Sequence, residues 1–489
     1  MRRVLRDMAA GASAKRSKLV SVYYDTEDRA LARQGSVLRV RRRDGQYIQT
    51  VKSASVPGGS PLARGEWEDT IAGEHPDPRA PQSGRFLTPD IADRVAPVFR
   101  TEVTRLVTDL SPAPGTRIEA AIDRGTIRAP GKTAVKRISE LELELKSGPV
   151  TALYDVALRL LAAAPVRLEW RSKAERGHLL AAGRPLAQTV RAEPFALDPE
   201  LSAEAALQRI GRASVDRIVR NEAAIVAGRA DGVHQMRVAV RRLRAVLSGF
   251  RKMLPAEERH WANGELRWLS GALGEARNLD VFESALIGPA REALPDVAAL
   301  RVLSAAARRQ RRAAYAAARH AIRSPRYTAL LLGLMRWFDG SSWRDGEAAS
   351  ELQQPIGDIL PPLLDKLRRR AKRRGKGFAG LSAKERHKLR IALKKLRYTS
   401  ELLSGLSAAA AVRAFTGGLK RLQDELGEAN DLRGARDIIA KLAHGPDGAT
   451  IARAGKIVLN WHRRRLVARQ PQTKMHLRGL LDTEPFWRG

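Results

Sequence analysis

Apolar and polar positions alternate every second residue through several short stretches of the first 180 residues. In Leu38–Arg43, Leu38 and Val40 point one way while Arg39, Arg41 and Arg43 point the other. Tyr47–Lys52 places Ile48, Thr50 and Lys52 on one face, and Ile118–Asp123 sends Glu119 and Asp123 opposite Ile118 and Ile122. Ser139–Lys146 sets Glu140, Glu142 and Glu144 against Leu141, Leu143 and Leu145, and Val166–Arg171 groups Arg167, Glu169 and Arg171. A period of two predicts strands, punctuated by turns at Asp44-Gly45 and Pro57-Gly58-Gly59. Beyond Ser202 the period becomes 3.6 over sequence rich in Ala, Leu, Arg and Glu, which predicts helices. Breaks are expected near Pro255, Ser324 and Pro325, the GSSWRDG segment at Gly340, Pro361 and Pro362, and Gly375. A Pro-containing stretch of little periodicity separates the two regimes. The expected fold class is therefore multidomain α+β: an antiparallel β-barrel with flanking helices over 1–183, a linker over 184–201 and an all-α domain over 202–489.

Within the helical region, a single pattern occurs twice. HQMRVAVRRLR places His234, Arg237, Arg241 and Arg244 on one helical stripe, and HKLRIALKKLR repeats it as His387, Arg390, Lys394 and Arg397. The same shift of 153 positions carries LGEARNLD at Leu273 onto LGEANDL at Leu426. Two blocks in register indicate a duplicated unit, hence two pseudo-symmetric helical bundles that each contribute a basic helix to a shared interface. Met236, Val240, Leu243 and Leu247 form the packing stripe of the first copy, and Leu389, Leu393 and Leu396 that of the second. Basic residues on a helix are often only its solvated face, but these stripes have no interleaved acids, and like charges stacked together repel unless an anion lies among them. Asn278, Asp280, Asn430 and Asp431 of the second block read as caps or bundle hydrogen bonds. The runs Lys366–Lys376 and Arg463–Arg465 read as solvated positive segments.

Charge sharpens this division. The chain carries a formal +35; the first 200 residues hold 33 Lys and Arg against 25 Asp and Glu, the remainder 55 against 28. The partner expected of the helical region is a polyanion: inorganic polyphosphate, nucleic acid or an anionic membrane face. Aromatic residues make up 5% and are not interleaved with the basic helices, which weakens a base-stacking role. No cysteine is present, which excludes disulfides and thiolate chemistry. No apolar run is long enough to span a membrane, and no leader pattern opens the sequence, so a cytoplasmic protein is expected.

In the strands the ionic faces are sorted, arginine on one and glutamate on another. Closed with those faces inward, the sheet would form a tunnel with opposing cationic and acidic walls. Such a lumen suits a phosphate chain on Arg and Lys, with Mg²⁺ or Mn²⁺ on the carboxylates.

The segments YYDTEDRAL at Tyr23, LRVRRRDGQYIQTVK at Leu38, RGEWE at Arg64, IEAAIDRG at Ile118, SELELELKSG at Ser139 and WRSKAERG at Trp170 resemble, in order, the CYTH domain of triphosphate tunnel metalloenzymes. That resemblance implies an inorganic triphosphatase, with Arg39, Arg41, Lys52, Arg105 and Lys173 on phosphate and Asp123, Glu140 and Glu142 on metal or attacking water. It assigns no role to Glu144. The family's first strand carries a Glu-x-Glu-x-Lys motif that is absent here, and residues 1–26 look like the helix that follows it. Either the reading frame begins further upstream or the barrel lacks a strand; as written, an open seam is expected, with phosphate bound better than it is cleaved. The helical region resembles the CHAD domain, which implies that His234, Arg237, Arg241, Arg244, His387, Arg390, Lys394 and Arg397 line a groove for inorganic polyphosphate. The reading is thus a polyphosphate-binding protein with a triphosphatase-like tunnel, with polyphosphate granules as a candidate location. Its alternatives are a noncatalytic granule-associated binder with a vestigial barrel and a nucleic-acid binder.

Overall fold

In the computed structural model, which describes residues 2–9, 14–53, 65–183, 189–191, 197–340, 342–345, 349–402, 409–445 and 447–488, the alternating stretches pair into one antiparallel sheet. Its strands are β1 (Lys15–Asp25), β2 (Ser36–Arg43), β3 (Gln46–Ser53), β4 (Gly65–Ile71), β5 (Ala96–Leu110), β6 (Arg117–Arg128) and β7 (Lys136–Ser147), in the order β4-β3-β2-β1-β5-β6-β7. Helices α1 (Arg2–Asp7), α2 (Ala30–Arg33), α3 (Pro89–Ala92), α4 (Thr151–Ala163) and α5 (Lys173–Ala181) accompany it. The β2–β3 hairpin turns on Asp44 and Gly45, both at positive φ (50° and 84°), the two-residue turn whose twist matches that of the strands. The predicted turn at Pro57 lies outside the described residues, as does most of the predicted linker. The apolar faces pack as the period requires: Leu38, Val40 and Val51 lie in one buried cluster, and Leu110, Ile118 and Ala120 lie in another with Leu5, Val156 and Leu160.

Among the described residues no ladder joins β4 to β7, so the sheet has the expected open seam. Two expectations are corrected. Residues 1–26 are not one helix: α1 ends at Asp7, and Lys15–Asp25 is β1, paired with β2 and β5. Val166–Arg171 is not a strand: the Val166 N–H bonds back to the Ala164 carbonyl (2.8 Å), and the segment crosses from α4 to α5 without a ladder to any of the seven strands. Alternation describes side chains, whereas a strand needs a hydrogen-bonding neighbour.

Residues Met1–Leu186 form one compact unit and Ala187–Gly489 a second. The second is helical: α6 (Ala203–Arg220), α7 (Glu222–Val226), α8 (Ala230–Gly249), α9 (Ala256–Ala272), α10 (Gly274–Val281), α11 (Gly288–Ala293), α12 (Ala299–Arg323), α13 (Pro325–Asp339), α14 (Ala349–Gln353), α15 (Ile356–Gly375), α16 (Ala383–Ser400), α17 (Ala409–Leu442) and α18 (Gly448–Asp482). Pro255 immediately precedes α9, and Ser324 caps α13 by accepting the Tyr327 N–H at 3.2 Å, with Pro325 in the first turn. Pro361 and Pro362, expected to break a helix, lie inside α15 instead. Each removes a backbone donor, yet Ile356, Ile359, Leu360 and Leu364 are buried around them and hold the turn in place. The packing stripes are as expected: Met236, Val240, Leu243 and Leu247 of α8 and Leu389, Leu393 and Leu396 of α16 are fully buried. No helix among the described residues is long and apolar enough to cross a membrane.

Candidate functional site

On the sheet, strand register decides which charges meet. Lys52 lies opposite Glu66 and Thr50 opposite Glu68 in the β3–β4 ladder. The Lys52 ammonium accordingly sits 2.7 Å from Glu66, while the buried Arg39 donates to Thr50 Oγ1 (2.9 Å) and Glu68 Oε1 (3.3 Å). Arg41 donates through Nε to Ser21 Oγ (3.1 Å); burial, reinforced by Arg39, pushes its guanidinium down to about 10.

On the other side of β1, Arg105 of β5 grips Asp123 of β6 through two bonds, at 2.8 and 2.7 Å, and reaches Glu142 of β7 at 2.5 Å. Lys173, at the start of α5, lies 2.8 Å from Asp123 and 2.6 Å from Glu142, and it also contacts Glu140. Arg176 completes the set by donating to Glu140 at 2.5 Å. Burial opposes ionisation of Asp123 and Glu142, but Arg105 and Lys173 outweigh it and hold both carboxyls below their usual range. Burial likewise works against the charges of Lys173 and Arg105, and the same carboxylates raise both above their usual values.

Local sequence explains the placement of α5. Ser172 caps the helix by accepting the Glu175 N–H (3.1 Å), so Lys173 starts the first turn. Gly177 lets the helix lie on the Phe99 ring: a Cβ there would come within 2.2 Å of a ring carbon. Phe99 in turn stacks on Tyr23 with ring centroids 4.3 Å apart.

Asp123, Glu140 and Glu142 offer carboxylate oxygens within 4.8 Å of one another, a hard-oxygen set of the kind Mg²⁺ and Mn²⁺ take. The donors fit a divalent ion on one condition. All three are already bonded to Arg105, Lys173 or Arg176, so these cations must be drawn elsewhere when a metal enters. The expectation of separate cationic and acidic walls is corrected: cross-strand neighbours interleave the two signs.

In the helical unit α8 packs against α16. Arg241 reaches the Tyr398 hydroxyl at 3.4 Å, Lys395 donates to Ser248 (2.9 Å), and Arg242 pairs with Glu401 (2.6 Å). This contact gathers Arg237 and Arg241 of α8 with Arg390, Lys394 and Arg397 of α16. Burial, then repulsion by Arg390, Arg241, Arg397 and Arg237, pushes the Lys394 ammonium down to about 7. Burial with Arg241 and Arg277 lowers Arg237 to about 10, and burial with Arg277 and Arg241 lowers His234 to about 4. Arg390 is lowered chiefly by burial, as is Arg244, which lies beside Arg267. His387 is exposed, with its ring Nδ1 3.2 Å from Asn430 Oδ1. The buried Nε groups of Arg237, Arg244 and Arg390 have no acceptor among the described residues. Water or an anion would satisfy them.

The second repeated block has a structural reason. A Cβ on Gly274 would lie 3.7 Å from Arg237 Nη1, and one on Gly427 3.6 Å from Arg390 Nη2. The glycine of each LGEA block therefore borders the arginine of its own basic helix. Asp280 bonds Arg311 (2.6 Å) and Tyr315 (2.8 Å) within the bundle, whereas Asp431 is close enough to Arg390 and Arg277 to feel both charges.

Sequence reasoning missed several members of these sites. Glu66 and Glu68 stand in RGEWE with the same i, i+2 spacing as the other ionic faces, and Arg176 stands in WRSKAERG, so a signal was present for each. Arg277 and Tyr398 left none, because the repeat places Asn430 and Ala245 at their counterparts.

An open antiparallel sheet carrying a carboxylate–cation network, followed by a helical unit built on a duplicated basic helix, defines a two-domain architecture with two charged sites. The CYTH domain profile matches residues 5–177 and the CHAD domain profile residues 209–440, so the chain is a CYTH domain followed by a CHAD domain. An inorganic triphosphatase of Haemophilus influenzae is 31% identical over 163 residues, covering 33% of this chain and 46% of that protein. An uncharacterized protein of Mycobacterium tuberculosis is 28% identical over 198 residues, covering 38% and 37% respectively. The matched stretches thus span less than half the length of these curated relatives. The crystal structure of the CHAD domain from the plant Ricinus communis superposes with a TM-score of 0.51 at 28% identity, covering 61% of this chain and 98% of that one.

Proposed function

We propose that this chain binds inorganic polyphosphate through the cleft between α8 and α16, and that its CYTH unit binds inorganic triphosphate and hydrolyses it with Mg²⁺ or Mn²⁺. The observation that carries polyphosphate binding is the cleft's electrostatics. Arg237, Arg241, Arg390, Lys394 and Arg397 come together from two chain-distant helices, and burial and mutual repulsion hold Lys394 and Arg237 far below their usual values. A phosphate chain relieves that repulsion at every contact. The test is R241E/K394E. Binding of long-chain polyphosphate should weaken roughly a hundredfold or more, since each lost charge-assisted bond counts for about 1.5–3 kcal/mol, with helicity unchanged. Unchanged affinity would sink the proposal, and preference for DNA at matched phosphate and salt would favour the nucleic-acid reading.

In the sheet unit, Arg39, Arg41 and Lys52 bind the oxygens of the triphosphate, and Asp123, Glu140 and Glu142 would hold the metal. When bound, a divalent ion supplies charge neutralisation and polarises phosphoryl oxygens. Arg105 and Lys173, exchanged from their carboxylates onto phosphate, follow the charge that builds on the leaving pyrophosphate. Water adds to the terminal phosphorus, the P–O–P bond breaks, and orthophosphate, pyrophosphate and one proton leave. The likeness to a named inorganic triphosphatase supports this reading. The neutralised carboxylate cluster favours the second one, a binder without turnover. Phosphate release from triphosphate with either metal separates the two. A cytoplasmic location at polyphosphate granules belongs to the same proposal.

A further inference from the structure

Helix α12 carries a second track of positive charge, on a face that the α8–α16 cleft does not use. Its 25 residues contain seven arginines and no acid. Arg301, Arg308, Arg312, Arg319 and Arg323 recur at intervals of seven, four, seven and four. These intervals keep them within about 60° of one another around the helix and spread them over about 33 Å at 1.5 Å per residue. Arg301, Arg308, Arg312 and Arg323 are exposed. The opposite face packs through Leu300, Leu303, Ala307, Ala314 and Ala318, all buried, so packing does not dictate the arginine stripe.

Where α12 passes α11 the stripe opens into a cavity of about 420 Å³ lined by Arg291, Arg301, Arg308, Arg309 and Arg312 together with Ser304 and Ala305. Glu283 pairs with Arg308 at 2.8 Å. Among the described residues no carboxylate pairs with Arg291, Arg301, Arg309 or Arg312. Five arginine side chains around one concavity, with a single acid paired to one of them, suit an anion carrying several charges.

We infer that this α11–α12 groove is a second binding site for phosphate chains, separate from the central cleft, where one inorganic polyphosphate strand runs through the cavity and along the arginine stripe. The inference takes its ligand class from the reading above but not its site. The cavity is wide enough for a single chain of tetrahedral groups, and its lining has no aromatic ring on which a base could stack. Guanidinium forks match phosphate oxygens in pairs, and regular spacing along a helix suits a ligand whose charge repeats along its length.

The experiment titrates long-chain polyphosphate into four full-length chains at fixed salt: wild type, R241E/K394E, R301E/R308E/R312E and the five-fold combination. A control, R413E/K420E/R421E, reverses three exposed charges on α17. The α12 variant should lower the number of phosphate units bound per chain at saturation. On its own it should also lower the log–log salt slope by about 2 for three lost contacts, and in the R241E/K394E background it should remove the remaining binding. If R301E/R308E/R312E matches wild type while R241E/K394E abolishes binding, the second site is wrong and the central cleft stands. If the α17 control costs as much as the α12 variant, only net charge matters and the site is wrong. Residual binding in R241E/K394E that prefers duplex DNA to polyphosphate also overturns it, and so does a wild type that binds no polyphosphate at all. Circular dichroism of each variant confirms that helicity is kept.

Discussion

Lys173 on the sheet and Lys394 in the helical cleft are both largely covered by protein, and their surroundings push them in opposite directions. Lys173 contacts Asp123, Glu140 and Glu142, and its ammonium is raised above the usual lysine value despite burial. Lys394 faces Arg390, Arg241, Arg397 and Arg237, and its ammonium falls to about 7. What makes an anion site is therefore not the number of cations but what already neutralises them. The cleft's cations can take a polyanion directly. Those of the sheet must first exchange partners, and exchange is favourable only when something positive takes their place on the carboxylates.

The largest expected effect comes from breaking the paired set. Asp123 is almost wholly buried, and D123A leaves Arg105 and Lys173 with an uncompensated share of buried charge. The expected loss is about 3–5 kcal/mol in the unfolding of the first unit by urea. The sign with pH follows from the depressed carboxyl: its contribution is present above the ordinary carboxylate range and disappears as pH falls through its lowered value. A D123A protein should thus lose most of the difference from wild type under acid conditions. A loss near zero at pH 7 would mean that the network is solvated rather than structural.

The exchange argument predicts a smaller but more specific effect. Mn²⁺ titrated into the chain, followed by its spin resonance, should bind about tenfold tighter or more with tripolyphosphate present than without it, corrected for metal held by free tripolyphosphate. Coupling of about 1–3 kcal/mol is the usual size for two linked sites. In K173M the metal should bind more tightly alone, and the coupling should shrink, because one resident cation has gone. Equal Mn²⁺ affinity with and without tripolyphosphate in the wild type would break the exchange idea while leaving the static network intact.

These two sites differ also in how much of them could be read from the chain. Alternation in Leu38–Arg43 and Ser139–Lys146 located β2 and β7 and their ionic faces, because side-chain direction is a local property. Whether Lys52 meets Glu66 or Arg105 meets Asp123 depends on the register between strands, and nothing within one strand encodes it. Hence alternation alone sorts the walls by sign, whereas the ladders mix them. Val166–Arg171 failed for the complementary reason, since six alternating residues carry no information about a neighbour. The cleft was more legible. The repeat marks both basic helices and their packing stripes, and its second block contains Gly274 and Gly427, which border Arg237 and Arg390. Tyr398 and Arg277 broke the repeat and so stayed hidden.

The smallest effect tests the basic cluster of the second unit through the fold itself. K394M removes a charge from among like charges, so it should stabilise the second unit at pH 6, by about 1–2 kcal/mol after solvent screening is discounted, which is the opposite sign to D123A. Between the folded value near 7 and the ordinary lysine value, the unfolded chain holds a proton that the folded chain has released. Stability from Lys394 therefore rises with pH across that window and is flat below it, and the advantage of K394M should shrink as the solution becomes alkaline. Polyphosphate acts on the same equilibrium from the other side. By restoring the charge on Lys394 it takes up a proton above pH 7, so affinity should fall as pH climbs past about 7, at most about tenfold per pH unit. K394R keeps its charge throughout and should flatten that profile while still binding. Calorimetric titration in two buffers of different ionisation enthalpy reads the proton uptake directly. A wild-type profile that is flat from pH 6 to 9 would place Lys394 outside the contact with the chain, and would leave Arg237, Arg241 and Arg390 to carry the cleft.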